Sequence, residues 1–99
     1  MTLPGLSVDA ERLADVCRRY GVARLEVFGS VSRGEAGPDS DVDVLYDLMP
    51  DARLGWRIED LTDELVSLFG RPVDLISRNA LHHRLRDDVL AEARLLYAA

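Results

Sequence analysis

The sequence predicts an α/β (α+β) domain with one mixed sheet of three or four strands and helices packed against it. Short segments with an apolar residue at every second position alternate with longer ones whose apolar residues recur every three or four positions. Glycines stand where one kind of segment gives way to the other. With 99 residues, 47% of them hydrophobic, the chain has the size and apolar content of one compact core. We therefore expect a single domain over residues 1–99.

The first half of the chain predicts a helix and two strands. Ser7 is a candidate N-cap for a helix over residues 8–20, and Gly21 is its stop signal. The helix has apolar residues at helical spacing: Leu13, Val16, Cys17 and Tyr20. Residues 23–28 alternate Leu25 and Val27 with Arg24 and Glu26, which predicts a strand with one buried face. A surface loop over 34–40 and a second strand over 41–48 follow.

The second half predicts two further helices and two short strands. Residues 54–69 form the longest predicted helix, ended by Gly70, and its core-facing stripe is Ile58, Leu61, Leu65 and Leu68. A strand over 72–76 reads as almost wholly buried. Residues 80–92 predict a helix, and 94–97 either continue it or form a closing edge strand, which we prefer.

Charge and composition exclude several kinds of chemistry. The net charge is −6 and all 12 basic residues are Arg, so a Walker-type phosphate loop and a Lys Schiff base are both excluded. The acidic balance disfavours direct binding of nucleic acid, which needs a basic face. No segment is long and apolar enough for a membrane span, and no signal peptide is evident. One cysteine, Cys17, expected to be buried, fits a reducing compartment, so we expect a cytoplasmic protein.

Gly29-Ser30 is a candidate phosphate-binding turn. It follows a predicted strand and precedes a short helical turn, so backbone N–H groups and the Ser30 hydroxyl could face a phosphate. Gly29 would allow the phosphate to approach the backbone closely. An ordinary tight turn capped by Ser30 is the alternative for a Gly-Ser pair taken alone.

Asp41 and Asp43 are candidate metal ligands. They are two apart on a predicted strand, so their carboxylates leave the same face with Cα atoms roughly 6 to 7 Å apart. Shared divalent cations would offset the repulsion between them. A solvent-facing acidic edge strand is the alternative. An EF-hand calcium loop starting at Asp39 is excluded, because its sixth position is Val44 and its twelfth is Pro50.

Asp74 is a third candidate, because it interrupts an apolar run in a predicted strand. A carboxylate there is costly unless it is paired, protonated or bound to a metal. If its strand lies next to that of Asp41, the three acids can form one cluster. A salt bridge to one of the Arg residues, or an exposed position, is the alternative.

These motifs together resemble those of the DNA polymerase β-type nucleotidyltransferases. The matching residues lie within 27–76: Phe28-Gly29-Ser30, Arg33-Gly34, Asp41-x-Asp43 and the Val-Asp-Leu around Asp74. The spacer between Gly-Ser and Asp-x-Asp suits the minimal nucleotidyltransferase antitoxins. Val31 is a departure, since relatives often have Arg there, and it weakens the case for a second phosphate-binding cation.

The resemblance implies a role for each matched residue. Gly29 and Ser30 would hold the triphosphate of ATP, and Arg33 would reach a phosphate or form a surface ion pair. Asp41, Asp43 and Asp74 would be the catalytic carboxylates that bind two Mg²⁺ ions, and Asp74 could also accept the proton of the acceptor hydroxyl.

The resemblance also implies a partner. This would be a helical ribonuclease toxin of the HEPN type, encoded alongside, whose tyrosine receives AMP and which is thereby inactivated. One alternative is a non-catalytic antitoxin that neutralises its partner by complex formation alone, and another is transfer to a small molecule. We expect His82 and His83 to lie on an exposed helix face, and Trp56 and Tyr97 to be core or interface residues.

Overall fold

The computed structural model of the protein describes residues 2–3, 6–29, 41–81 and 91–99. The chain opens with a small antiparallel hairpin that the sequence did not predict, formed by β1 (Thr2–Leu3) and β2 (Leu6–Ser7). None of the helices within these described ranges is long and apolar enough to cross a membrane.

The first helix, α1 (Ala10–Tyr20), begins two residues later than predicted and has a different cap. The Asp9 carboxylate, rather than Ser7, accepts hydrogen bonds from the backbone N–H groups of Glu11 and Arg12 at 3.1 and 3.2 Å. Ser7 cannot be the cap because it lies in β2, paired with Thr2. Gly21, with φ of 71°, ends the helix as predicted.

Among the described residues, four strands form one mixed sheet, which confirms the predicted fold class. They are β3 (Val22–Phe28), β4 (Val42–Leu48), β5 (Val73–Ser77) and β6 (Arg94–Ala98), in the order β5-β4-β3-β6. The β4 and β5 strands are parallel, whereas β3 is antiparallel to both of its neighbours. The closing strand is therefore confirmed, at the edge beside β3.

The second helix, α2 (Ile58–Phe69), is preceded by a 3₁₀ turn over Gly55–Arg57. The predicted single helix over 54–69 is thus a 3₁₀ turn followed by an α-helix, which ends at Gly70 with φ of 72°. Its buried residues are Leu61, Leu65 and Phe69, while Ile58 and Leu68 pack partly buried against the core. Trp56, in the 3₁₀ turn, is 98% exposed, which excludes a core position.

The two faces of the sheet have different neighbours. Leu25 and Val27 of β3 and Val42 and Val44 of β4 lie in the main core with the buried residues of α1 and α2. We call this side the helix face. Cross-strand partners point to the same side of a sheet, so the alternate residues form the second face, which includes Glu26, Phe28, Asp43, Leu45 and Asp74.

The β5 strand differs from the prediction of a wholly buried strand. It lies at the edge of the sheet, and its residues are half-buried except for Asp74, which is exposed. The helix predicted over 80–92 is described only in part: Arg78–Ala80 form a 3₁₀ turn, and Ala91 and Glu92 are helical. His82 and His83 lie outside the described residues.

Candidate active site

Three of the four strands bring one residue each to a common row at one end of the second face. Phe28, the last residue of β3, pairs with Asp43 of β4, and Asp43 pairs in turn with Asp74 of β5. Neighbouring strands lie about 4.8 Å apart, so Asp43 and Asp74 stand side by side. The strands of Asp43 and Asp74 are therefore neighbours, as a shared carboxylate cluster requires.

Asp41 lies immediately before β4, two residues from Asp43. The backbone N–H of Val42 donates to the Pro72 carbonyl at 2.9 Å, so the pairing of β4 with the segment of Asp74 starts between the two acids. Val42 is fully buried on the helix face, whereas Asp41 is exposed and Asp43 half-buried. Side chains alternate along an extended chain, so the alternation predicted from Asp-Val-Asp-Val is confirmed within β4.

Gly29 brings the turn after β3 against the carboxylate of Asp43. Its φ is 71°, a conformation that L side chains rarely adopt, and a Cβ at this position would overlap Oδ2 of Asp43. The peptide backbone can therefore approach Asp43 only because residue 29 has no side chain. The turn after β3 therefore faces the row of acids.

The arrangement of backbones fits a site for hard divalent cations. Carboxylates are the ligands that Mg²⁺ prefers, and Asp43 and Asp74 project from paired positions beside Asp41. Within the described ranges, however, no three His, Cys, Asp or Glu side chains are gathered closely enough to hold a metal ion. Carboxylates repel each other unless a cation lies between them. The fit to a metal ion therefore rests on the backbone positions of the acids and not on the orientations of their side chains.

Ser30 and Arg33, the other predicted nucleotide contacts, lie outside the described residues, as does the predicted loop over 34–40. Of the predicted site residues, the structure thus places Gly29, Asp41, Asp43 and Asp74 at one end of the sheet. The phosphate contacts of Ser30 and Arg33 stay predictions.

An ion-pair network on the second face was not predicted from the sequence. The alternation in β3 predicted an exposed Glu26, but this residue is only 6% exposed. Its Oε1 accepts from Nε of Arg24 at 3.1 Å and from Nη1 of Arg78 at 2.5 Å. Nε of Arg78 also lies 3.9 Å from Oδ2 of Asp47. A buried carboxylate needs such partners. The sequence signal that could have indicated the burial of Glu26 was an acid placed between Leu25 and Val27 in a strand.

Cys17 is buried, as predicted, and takes no part in this site. Burial raises the pKa of its thiol to about 12, against a smaller opposing effect of Arg18. Thiolates, not thiols, are the nucleophiles. Cys17 is therefore a core residue without reactive character.

Comparison with known proteins agrees with this geometry. The sequence model of the nucleotidyltransferase domain family matches residues 11–96. The protein adenylyltransferase MntA of Thermococcus cleftensis is 43% identical over 74 residues, which cover 75% of this chain and 74% of that protein. A solved structure described as that of a minimal nucleotidyltransferase has a TM-score of 0.71 and 41% identity, over 86% of each chain.

A more distant likeness concerns a solved complex from Shewanella oneidensis, that of a tri-AMPylated HEPN toxin with an MNT antitoxin. It covers 91% of this chain and 70% of the compared one, with 20% identity and a TM-score of 0.56. At this identity the likeness shows the fold alone. The family match, by contrast, spans most of the chain and includes the row of acids and Gly29. The chain belongs to the nucleotidyltransferase domain family.

Proposed function

We propose that this protein transfers AMP from ATP to a tyrosine hydroxyl of a HEPN-type ribonuclease toxin and so acts as its antitoxin. The observation that carries the proposal is the paired position of Asp43 and Asp74 beside Gly29, in a nucleotidyltransferase-family chain. The 43% identity to a protein adenylyltransferase supports a protein acceptor. The AMPylated toxin in the distant structural neighbour supports the choice of a HEPN partner.

Most residues of the site bind phosphate or metal, and Asp74 also accepts a proton. Gly29 and Ser30 hold the phosphates through backbone N–H groups and a hydroxyl, and Arg33 contacts a phosphate oxygen. Asp41, Asp43 and Asp74 would hold two Mg²⁺ ions. Mg²⁺, when bound, neutralises phosphate charge and lowers the pKa of the acceptor hydroxyl.

The reaction is an in-line displacement at the α-phosphorus. The acceptor oxygen forms a bond to this phosphorus while the bond from it to the bridging α–β oxygen breaks. Pyrophosphate leaves with the bonding electron pair, and the hydroxyl proton goes to the Asp74 carboxylate. Asp74 is exposed, so a large acceptor has access to it from solvent.

Charge and composition support the partner and compartment of the proposal. A chain of net charge −6 complements a ribonuclease, which needs basic residues for its RNA substrate. A free buried thiol is compatible with the reducing cytoplasm. We place the reaction there, carried out by one domain that acts on a bound protein partner.

Intact-mass spectrometry of the cognate HEPN protein tests the proposal. The partner is incubated with this chain, ATP and Mg²⁺, and we expect a mass gain of one or more AMP units. The double variant Asp41→Asn, Asp43→Asn should give no gain. Its matched control, Asp47→Asn with Asp51→Asn, removes the same charge near the far end of β4 and in the turn that follows it, and should retain transfer.

The same experiment separates the enzyme from an antitoxin that acts by contact alone. If the partner gains no mass but its ribonuclease activity is silenced in a stable complex, transfer is not the function. Silencing that requires ATP and is lost in the Asp41, Asp43 variant supports the enzyme.

A further inference from the structure

A groove of about 400 Å³ runs between α2 and the edge strand β5 and includes the proposed catalytic residue Asp74. Its apolar lining comes from Ile58 of the helix and from Val73 and Leu75 of the strand. Its charged lining is Glu59, Asp63 and Asp74, all acidic. The groove lies on the helix face and the row of acids on the second face, and the two share Asp74 of the edge strand.

One wall of the groove is the free side of a β-strand. In the described sheet, β5 pairs with β4 alone, and the Pro72 carbonyl accepts from Val42 of that strand. Backbone groups alternate in direction along a strand. Residues 72, 74 and 76 therefore face β4, while the N–H and C=O groups of Val73 and Leu75 face outward. Such an edge can add an extended peptide as a further strand.

The helical wall of the groove gives a preference of charge. Glu59 and Asp63 are four residues apart on α2, so they lie on the same side of the helix. Both are exposed, and neither makes an ion pair with another described residue. Glu59 lies in the first turn of α2, where the helix dipole stabilises an acid, whereas Asp63 lies beyond that turn and lacks this stabilisation. The pair is thus available to oppose positive charge on an adjacent chain.

We propose that the acceptor protein binds this groove through an extended, Arg- or Lys-rich segment that adds to the outer edge of β5. This inference rests on the proposed transfer of AMP to a protein. The segment pairs with the backbone of Val73 and Leu75 and its basic side chains face Glu59 and Asp63. Its hydroxyl-bearing residue then lies beside Asp74, which is paired with Asp43 of the proposed nucleotide site.

Peptide binding without ATP or Mg²⁺ tests the groove independently of catalysis. The probes are a short synthetic peptide with one tyrosine among arginines and the same peptide with glutamines in place of the arginines. We expect the arginine peptide to bind more tightly at low salt, and the double variant Glu59→Gln, Asp63→Asn to weaken it about tenfold. The control pair Glu11→Gln, Asp51→Asn removes the same charge elsewhere and should leave the affinity unchanged.

Amide hydrogen exchange, read by NMR, tests the mode of binding. Peptide addition should slow exchange at the amides of Val73 and Leu75, because they become donors to the added strand. Unchanged exchange at these amides with bound peptide would overturn the strand addition. Equal affinity of wild type and the Glu59, Asp63 variant would overturn the groove as the docking site.

The groove and the proposed reaction can fail separately. If the arginine peptide binds as expected but no protein acceptor gains AMP, the reaction is wrong and the docking surface stands. If the cognate partner gains AMP equally fast with the wild type and with the Glu59, Asp63 variant at limiting acceptor, the reaction stands and the docking surface is wrong.

Discussion

Gly29 and Gly70 have nearly the same backbone conformation, with φ of 71° and 72°, but different surroundings. A Cβ at Gly29 would overlap the Asp43 carboxylate, whereas a Cβ at Gly70 would meet nothing within 4 Å. The two positions therefore separate the effect of backbone strain from that of crowding at the proposed site.

Replacing Gly29 by Ala is expected to abolish AMP transfer, while Gly70→Ala should retain it. Both variants should lose about 1 kcal/mol of unfolding free energy, because Ala is disfavoured at positive φ. Circular dichroism in urea measures the stability, and the mass assay measures the transfer. Equal loss of activity in both variants would mean that crowding against Asp43 is not the cause.

The Cys17 thiol should react slowly with a thiol reagent at pH 8 in the folded protein and completely in denaturant. Its pKa is raised by burial from 9.0 to about 12. The unfolded chain therefore releases this proton near pH 9 and the folded chain does not. The contribution of Cys17 to stability is full below pH 9 and declines as the pH rises toward about 12. Cys17→Ala should lack this part of the decline, which urea melts across that pH range would show.

At the scale of single elements, the start of α1 shows what a local pattern leaves open. Ser7 was predicted as the N-cap and this prediction was wrong, because Asp9 is an equally favoured N-cap residue by type. The pairing of Ser7 with Thr2 in the hairpin decides in favour of Asp9. Helix ends marked by Gly21 and Gly70, by contrast, were predictable because glycine alone takes this conformation freely.

Asp9→Ala is expected to lower the free energy of unfolding by about 1 kcal/mol, because two helix N–H groups lose their acceptor. Ser7→Ala should change it by less than about 0.5 kcal/mol. Urea denaturation followed by circular dichroism distinguishes the two. A larger effect of Ser7→Ala would show that the cap lies where the sequence first suggested.

The surroundings of the β5 strand could not be predicted from its sequence. Its apolar run is compatible with a strand buried on both faces, but whether a strand lies inside or at the edge depends on the order of the whole sheet. That order comes from long-range pairing, which a local pattern does not contain. Strands β3, β4 and β5, and the acids Asp41, Asp43 and Asp74 placed on or beside them, followed from period-two alternation and from apolar runs, whereas the hairpin of β1 and β2 was missed.

At the scale of the whole molecule, Glu26 joins distant parts of the chain. Arg78, which contacts its carboxylate, is 52 residues away in sequence. No periodicity in either segment predicts this pair, because Glu26 and Arg78 each look like an ordinary exposed charged residue in their local sequence. The joint position of Phe28, Asp43 and Asp74 has the same origin: the residue types were evident, but their register was not.

Arg78→Met should destabilise the protein by about 2 kcal/mol, because it leaves a buried carboxylate with the more exposed Arg24 as its remaining cation. In the double variant with Glu26→Gln, part of this loss should be recovered, and a double-mutant cycle measures the coupling. Arg53→Met, which removes an exposed Arg bonded to a backbone carbonyl, is the control and should have little effect. Additive losses in the cycle would show that the pair does not stabilise the fold.

The exposure of Trp56 determines which optical signals this protein offers. It is the single tryptophan, and 98% of it is exposed in the folded chain. The indole is therefore already in contact with water in the folded protein, and unfolding changes its emission wavelength little. A protein that covers the turn at Gly55–Arg57 would instead shift the emission to the blue. Tryptophan emission is thus a nearly silent reporter of folding and a sensitive reporter of assembly at that end of the molecule.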